Sequence, residues 1–330
     1  MTMAERFREQ ATACARLGSP MYAELLDRVA DDIDAGGVSA EVLAGHEDDP
    51  GPSALALRLA GSVHQLVLQR RAGALATYYP SVGGSWHLAT AWPAFEVVLR
   101  AHRDEVRAHL HRPPQTNEVG RGAALMGGLL CIGERFRLPV RLFEIGSSDG
   151  LNLRADRFSY ENAWQGRPLV PWPELNIVER LGSDVLPVDV GTTEGRLTLT
   201  SYVWPDQTER LERLRRAFEI AAEHPAEVRR QDAVSFVSEI GMVEGAITVL
   251  WHSVMWQYLS APDRQAITGR IEELGASARD SAPFANLSLE PARRTPEDPH
   301  EFLVVLQLWP TGDRRVLGRS VGHGIPTTWE

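Results

Sequence analysis

Residues 140–153 read Val-Arg-Leu-Phe-Glu-Ile-Gly-Ser-Ser-Asp-Gly-Leu-Asn-Leu, and this stretch decides the fold. Val140, Leu142, Phe143 and Ile145 make an apolar run that ends at Gly146. A polar turn follows, then residues compatible with a helix. The pattern predicts a buried strand, a tight Gly/Ser turn and a helix start. At such a junction backbone N–H groups point outward and glycine lets another molecule approach the main chain, so the turn is a candidate ligand cradle.

Downstream of this stretch, strands and helices alternate. Strands are expected near 176–181, 197–203, 246–251, 284–289 and 302–308, with another within 315–328; helices are expected near 150–156, 206–223, 232–239 and 262–275. Alternation of this kind predicts a mostly parallel sheet. Only Thr311-Gly312-Asp313 separates the last two strands, which predicts an antiparallel hairpin at the end.

Upstream, residues 1–135 read as mostly helical. Ser19 and Pro20 look like an N-cap and a first-turn proline ahead of Tyr22, Leu25, Leu26, Val29 and Ile33 at helical spacing. Residues 47–52 read as a loop, with Ser53 expected to cap the next helix. Tyr78-Tyr79-Pro80-Ser81-Val82-Gly83-Gly84-Ser85-Trp86 is dense in aromatics and turn formers, and Pro139 closes the region. The expected division is a helical region, 1–138, covering the substrate side, and an α/β domain, 139–330.

Composition narrows the function classes. With 43% hydrophobic and 24% charged residues, the 330-residue chain has the balance of a soluble globular protein. A formal net charge of −10 argues against a general nucleic-acid or anionic-membrane binder. No lysine is present, so every strong cation is arginine. Cys14 and Cys131 match no zinc or redox spacing and read as small buried hydrophobes. Residues 1–18 lack the apolar core of a signal peptide, and the apolar run near Ala123–Gly133 is too short to span a bilayer. A reducing cytoplasm is the expected compartment. His64, His87, His300 and His323 form no metal-ligand cluster, so no metal is expected.

Three motifs compete for the central turn. A dinucleotide fingerprint needs Gly-x-Gly-x-x-Gly and fails at Ser148 and Leu151. The nucleophile elbow Gly-x-Ser-x-Gly matches at Gly146, Ser148 and Gly150. The third is the acidic-x-Gly-x-Gly-x-Gly loop that opens the S-adenosylmethionine (SAM) site of class I methyltransferases; Glu144, Gly146 and Gly150 fit it, and Ser148 replaces the middle glycine. A hydrolase places its elbow after several earlier strands, whereas the region before Ser148 is helical. The closing hairpin also resembles the seven-stranded, Rossmann-like methyltransferase sheet, whose last two strands form one.

On the methyltransferase reading, the 144–150 loop makes room for the methionine moiety. Asp184, expected at the tip of the second strand, is the candidate acceptor for the ribose hydroxyls, as an acid is in dinucleotide sites. Asp232 in Gln231-Asp232-Ala233 resembles the segment set against adenine, with helix capping as its other reading. His252, at the end of the strand Ile247–Trp251, is a candidate general base, and Trp256 and Tyr258 a candidate aromatic wall near the sulfonium. His323, in a glycine-flanked loop, is a second acid/base candidate. Glu290 ends another strand at the edge where doubly wound sheets bind ligands. Arg210 and Arg213 are candidates for holding an anion or for a solvated helix face.

Tyr78–Gly84, Glu144–Leu153, Arg180–Asp189, Trp204–Leu214, Trp251–Leu259 and Gly322–Trp329 together resemble a bacterial family designated a domain of unknown function. Its second half resembles class I SAM-dependent methyltransferases. The resemblance covers nearly the whole chain and implies an α/β protein with SAM as cofactor and a small-molecule acceptor. His252 or His323 would be the base, with Tyr78 and Tyr79 on the substrate side. Two other readings stand beside it: a serine hydrolase using Ser148, and a non-catalytic small-molecule-binding protein of the same fold.

Overall fold

A computed structural model describes residues 1–49, 53–111, 115–166 and 175–330. Within the loop expected at 47–52, residues 50–52 lie outside the described residues. The chain divides into two compact units: residues 1–116 with 191–215, and residues 117–190 with 216–330. This differs from a division at 138/139 in two ways. The helix before the first strand belongs to the sheet unit, and a later segment returns to the helical unit.

The first unit is helical. It contains α1 (Met3–Arg16), α2 (Pro20–Asp34), α3 (Val38–Leu43), α4 (Leu55–Leu68), α5 (Leu88–Ala101), α6 (Arg103–Leu110), α8 (Thr193–Ser201) and the start of α9 (Thr208–Glu223). Ser19 caps α2 by accepting the Tyr22 N–H, and Pro20 occupies the first turn. Leu25, Leu26 and Val29 then fall on its buried stripe, with Phe7 and Cys14 of α1 in the same core. Ser53 does not cap α4: Ala54 holds that position at φ 52, and Ser53 Oγ accepts from Arg58 at 3.0 Å instead. The strand expected at 197–203 is α8. Leu-Thr-Leu-Thr alternates like a strand, but Thr192 caps a helix here and Leu199 is buried.

The second unit is α/β. Its strands are β1 (Val140–Ile145), β2 (Trp164–Gly166), β3 (Ile177–Asp184), β4 (Glu227–Arg230), β5 (Ile247–Ser253), β6 (Phe284–Ala292), β7 (Glu301–Trp309), β8 (Asp313–Ser320) and β9 (Thr327–Trp329). They form one sheet in the order β2-β9-β8-β7-β6-β5-β1-β3-β4. Among the described residues the sheet therefore has nine strands, not seven. Strands β4, β3, β1, β5 and β6 are parallel, and β6 to β9 continue as an antiparallel meander that includes the expected β7–β8 hairpin.

Helices cover both faces, as a buried parallel core requires. Val140 and Leu142 of β1 join Val249 and Trp251 of β5 and the apolar side of α7 (Gly122–Phe136). Phe143 and Ile145 face the other way, with Leu250, Phe236 of α10 (Ala233–Glu239) and Ile267 and Ile271 of α11 (Ala261–Ser277). After a detour through the three-residue β2 at the far edge beside β9, the chain continues from β1 to β3 and β4 on one side, then to β5 and β6 on the other. The order thus reverses at β1. In doubly wound sheets the crevice outside the carboxyl ends at such a point is where ligands bind.

Candidate ligand site at the carboxyl ends of the strands

The turn after β1 is held from several directions. Ser147 N–H donates to Ser183 O of β3 at 3.0 Å, and Gly150 N–H to Ser147 O at 2.7 Å. Asn117 Nδ2 donates to Ser147 O. Arg154, in the 3-10 stretch Leu151–Arg157, donates to the carbonyls of Asp149 and Gly150 at 3.3 and 2.8 Å. Gly146, Ser148 and Gly150 all have positive φ, at 66, 54 and 68°. Glycine tolerates that region freely; at Ser148 the left-handed backbone is strained. A Cβ on Gly146 would also stand 3.0 Å from Met255 Cβ, close enough that Met255 would have to shift by a few tenths of an ångström.

Asp184 sits at the end of β3, as expected, and its carboxylate serves the turn. Oδ2 accepts the Ser148 N–H and Oδ1 the Leu186 N–H, each at 2.9 Å. Each carboxylate oxygen keeps a further lone pair. Asp232 follows β4 and caps α10, accepting the Ser235 N–H at 2.8 Å and its hydroxyl at 2.7 Å. The Ser235 backbone bond holds the Asp232 carboxyl below its ordinary range. Gln231 N–H donates to Asp184 O at 3.0 Å, tying the ends of β3 and β4 together. Glu144, Gly146, Ser148, Gly150, Asp184 and Asp232 are thus spread along the carboxyl ends of β1, β3 and β4.

Glu144 is the most unusual of them. It is 3% exposed, and burial pushes its carboxyl up to about 8, against the pull of the Trp251 indole, Arg154 and Arg121. Trp251 is its register partner on β5, yet neither Glu144 Oε2 nor Trp251 Nε1 completes a hydrogen bond. Asp149 is pushed up to about 6, again by burial first, opposed by the Val190 N–H and Arg154. Asn117 Oδ1, Glu144 Oε2, Asp149 Oδ2, Asn152 Oδ1 and Ser183 Oγ are all buried acceptors with no partner among the described residues. Buried polar atoms are rarely left so, and a group of them from several elements around one turn makes it a candidate place for a polar ligand or water.

His252 makes a second constellation at the end of β5. Its Nδ1 lies 2.9 Å from Glu290 Oε1, and its ring stacks on Trp256 at 4.9 Å between centroids. Val254, two residues on, has φ 50, strained for a β-branched side chain. Strand alternation puts Glu144 and Trp251 on the α7 face of the sheet and His252 on the α11 face, so the two constellations share an edge but not a side. Arg121 draws in the His323 loop: Nε donates to Gly322 O at 3.0 Å and Nη1 to Ser253 O at 3.3 Å. His323 therefore reaches the same edge.

Tyr79 does not lie on a surface facing substrate. It is fully buried in the core of the first unit, edge-on to Trp86. Burial raises its pKa and its hydroxyl has no partner, so it is packing rather than acid/base machinery. Asn117, Asn152, Asp149 and Ser183 were not singled out from sequence; nothing in the spacing of short polar residues marks them. Among the described residues no group of three or more His, Cys, Asp or Glu side chains is placed to hold a metal, and no helix is long and apolar enough to cross a membrane.

A search of curated proteins finds no match to the chain. Residues 4–329, nearly the whole sequence, match the bacterial family described as "Uncharacterized protein conserved in bacteria (DUF2332)", and the chain belongs to that family.

Proposed function

We propose that the α/β unit binds S-adenosylmethionine and transfers its methyl group to a small-molecule acceptor. The observation that carries this reading is Glu144: a buried carboxyl whose Oε2 has no hydrogen-bond partner among the described residues, near the end of β1 and two residues before Gly146, at the point where strand order reverses. Such a carboxyl suits a ligand ammonium group, which would favour its ionised form. The backbone of 146–150 would hold the methionine moiety, Asp184 the ribose hydroxyls through its free lone pairs, and Asp232 would stand toward the adenine amino group. When bound, SAM supplies a methyl group made electrophilic by the adjoining sulfonium.

The chain's own contribution is orientation and proton removal. Glu290 accepts from His252 Nδ1, which leaves Nε2 as the basic nitrogen, and Nε2 makes no hydrogen bond among the described residues. His252 would take the proton of an acceptor hydroxyl or amine, with Trp256 fixing the plane of its ring. His323 is the alternative base. Alignment of acceptor and methyl group supplies much of the rate in such a transfer.

The test is calorimetric titration with SAM and with its demethylated product, S-adenosylhomocysteine, after mass spectrometry has shown the protein to be free of copurified ligand. Binding that weakens sharply in Glu144→Gln and Asp184→Ala supports the reading. Absence of binding by folded, ligand-free protein overturns it. Binding without turnover across a panel of acceptors would favour a binding protein of this fold. The rival hydrolase reading has one observation of its own, the strained Ser148 on a strand-to-helix turn. It requires covalent labelling of Ser148 by an activated phosphonate.

A further inference from the structure

The first unit holds a serine–histidine pair that the methyl-transfer reading does not use. His64 lies on α4 and is completely buried. Its Nδ1 is 3.0 Å from the carbonyl oxygen of Ser201. A carbonyl only accepts, so Nδ1 carries the proton and Nε2 presents its lone pair. That lone pair is 2.8 Å from Ser81 Oγ, whose hydroxyl donates to it. Burial pushes the His64 imidazole down to about 4, so the ring is neutral and this polarity holds across the neutral range.

Ser81 is not buried with its partner. It sits half-buried in the 3-10 turn Pro80–Val82, beside Val82, which is 46% exposed. Tyr79, just before the turn, is anchored in the core with its ring 5.6 Å from that of His64. The base is therefore fixed by a third group from behind, the nucleophile stands half-buried in front of it, and an apolar side chain lies alongside. A hydroxyl and an imidazole at this separation, with the imidazole itself oriented, are the parts of an activated nucleophile.

We propose that Ser81 is a nucleophile activated by His64 that takes the acyl group of activated carboxylic esters, independently of the methyltransferase-like site. Ser81 Oγ would attack the ester carbonyl carbon while its proton passes to His64 Nε2. The tetrahedral oxyanion collapses, the carbon–oxygen bond to the leaving group breaks, and the departing oxygen takes the proton from Nε2. Water then attacks the acyl-serine, with His64 accepting the water proton and returning it to Ser81 Oγ, so ester and water become acid and alcohol. A buried, weakly basic imidazole is a poor proton acceptor, which restricts the substrates to esters with good leaving groups.

The test is treatment of the full chain with a fluorophosphonate probe, followed by peptide mapping by mass spectrometry, alongside p-nitrophenyl acetate turnover. An adduct on Ser81 is expected, lost in Ser81→Ala with an unchanged circular dichroism spectrum. Labelling should slow by about a hundredfold or more in His64→Gln if that variant folds. No adduct, or an adduct on another serine such as Ser148, overturns the proposal. Mapping on the unaltered protein keeps this outcome independent of whether a variant folds, and neither result bears on SAM binding.

Discussion

His252 Nδ1 lies 2.9 Å from Glu290 Oε1, a bond across the carboxyl ends of two neighbouring parallel strands. The same oxygen also accepts the backbone N–H groups of Met255, at 3.1 Å, and Trp256, at 3.4 Å. One carboxylate thus sets both the imidazole and the turn that leaves β5. An acceptor at Nδ1 fixes the proton there and assigns basicity to Nε2.

Removal of that acceptor should release the tautomer. In long-range ¹⁵N–¹H spectra, His252 is expected to be predominantly the Nδ1–H form in the unaltered protein. Glu290→Gln, which still offers an oxygen in the same place, should keep it. Glu290→Leu should give a mixture of tautomers and a loss of roughly 2–3 kcal/mol in stability, because buried donors lose their acceptor. An unchanged tautomer in Glu290→Leu would show that Glu290 does not orient the ring.

Glu144 sets a pH dependence with a definite sign. Its folded pKa is raised from 4.5 to about 8, so the folded protein holds this proton more tightly than the unfolded chain. The associated stability is fully present below the unfolded pKa and is lost as pH rises toward the folded one. At about 1.4 kcal/mol per pKa unit, the loss amounts to a few kcal/mol by the alkaline end of that window. Glu144→Gln cannot ionise, so in urea unfolding it should match the unaltered protein at low pH and exceed it in mildly alkaline buffer. Parallel stability curves for the two proteins would rule this out.

Sequence pattern revealed the centre of the sheet and obscured its borders. β1, β3, β5, β6 and β7 are long and apolar enough to show their period, and each appears near its expected position. β2 and β9, with three residues each, are too short to have a period, and β4 is the polar edge sequence Glu-Val-Arg-Arg. At α8, alternating leucine and threonine satisfies a strand pattern while tertiary packing decides otherwise. The positions of Glu144, Asp184 and His252 near the carboxyl ends of strands could be read from sequence because each lies at or just past a strand that the pattern marks. Asn117 and Asn152 come from outside such strands, and their convergence on one turn is a property of the fold alone. An aromatic next to turn formers, such as Tyr79, reads alike whether it faces solvent or anchors the turn, and here it is buried.

Glycine placement in α7 has an equally concrete consequence. A Cβ on Gly127 would stand 2.0 Å from the Trp329 ring, so the helix approaches β9 only because this residue lacks a side chain. Gly127→Ala should cost about 1–3 kcal/mol through overpacking. Trp329→Leu in the same chain should recover part of that loss, since it removes the atoms the new methyl would meet. A double-mutant cycle in urea measures the coupling; additive effects would mean the two residues do not share the contact.

Ser148→Gly tests the strained turn directly. Ser148 holds φ 54, and its backbone N–H, bonded to Asp184 Oδ2, is kept by any substitution except proline. Left-handed backbone costs a side-chain-bearing residue roughly 1–2 kcal/mol. Glycine removes that strain but gives back about 0.5–1 kcal/mol through the greater freedom of the unfolded chain. The net expectation is a change between zero and a gain of about 1.5 kcal/mol, read from urea unfolding. Because the variant also restores the middle glycine of the acidic-x-Gly-x-Gly-x-Gly pattern, SAM affinity measured by calorimetry should hold or rise. A fall in affinity with stability maintained would mean that the Ser148 side chain itself contacts the ligand. A fall in stability would mean that the side chain's interactions outweigh the backbone strain, and that the turn is shaped by the serine rather than in spite of it.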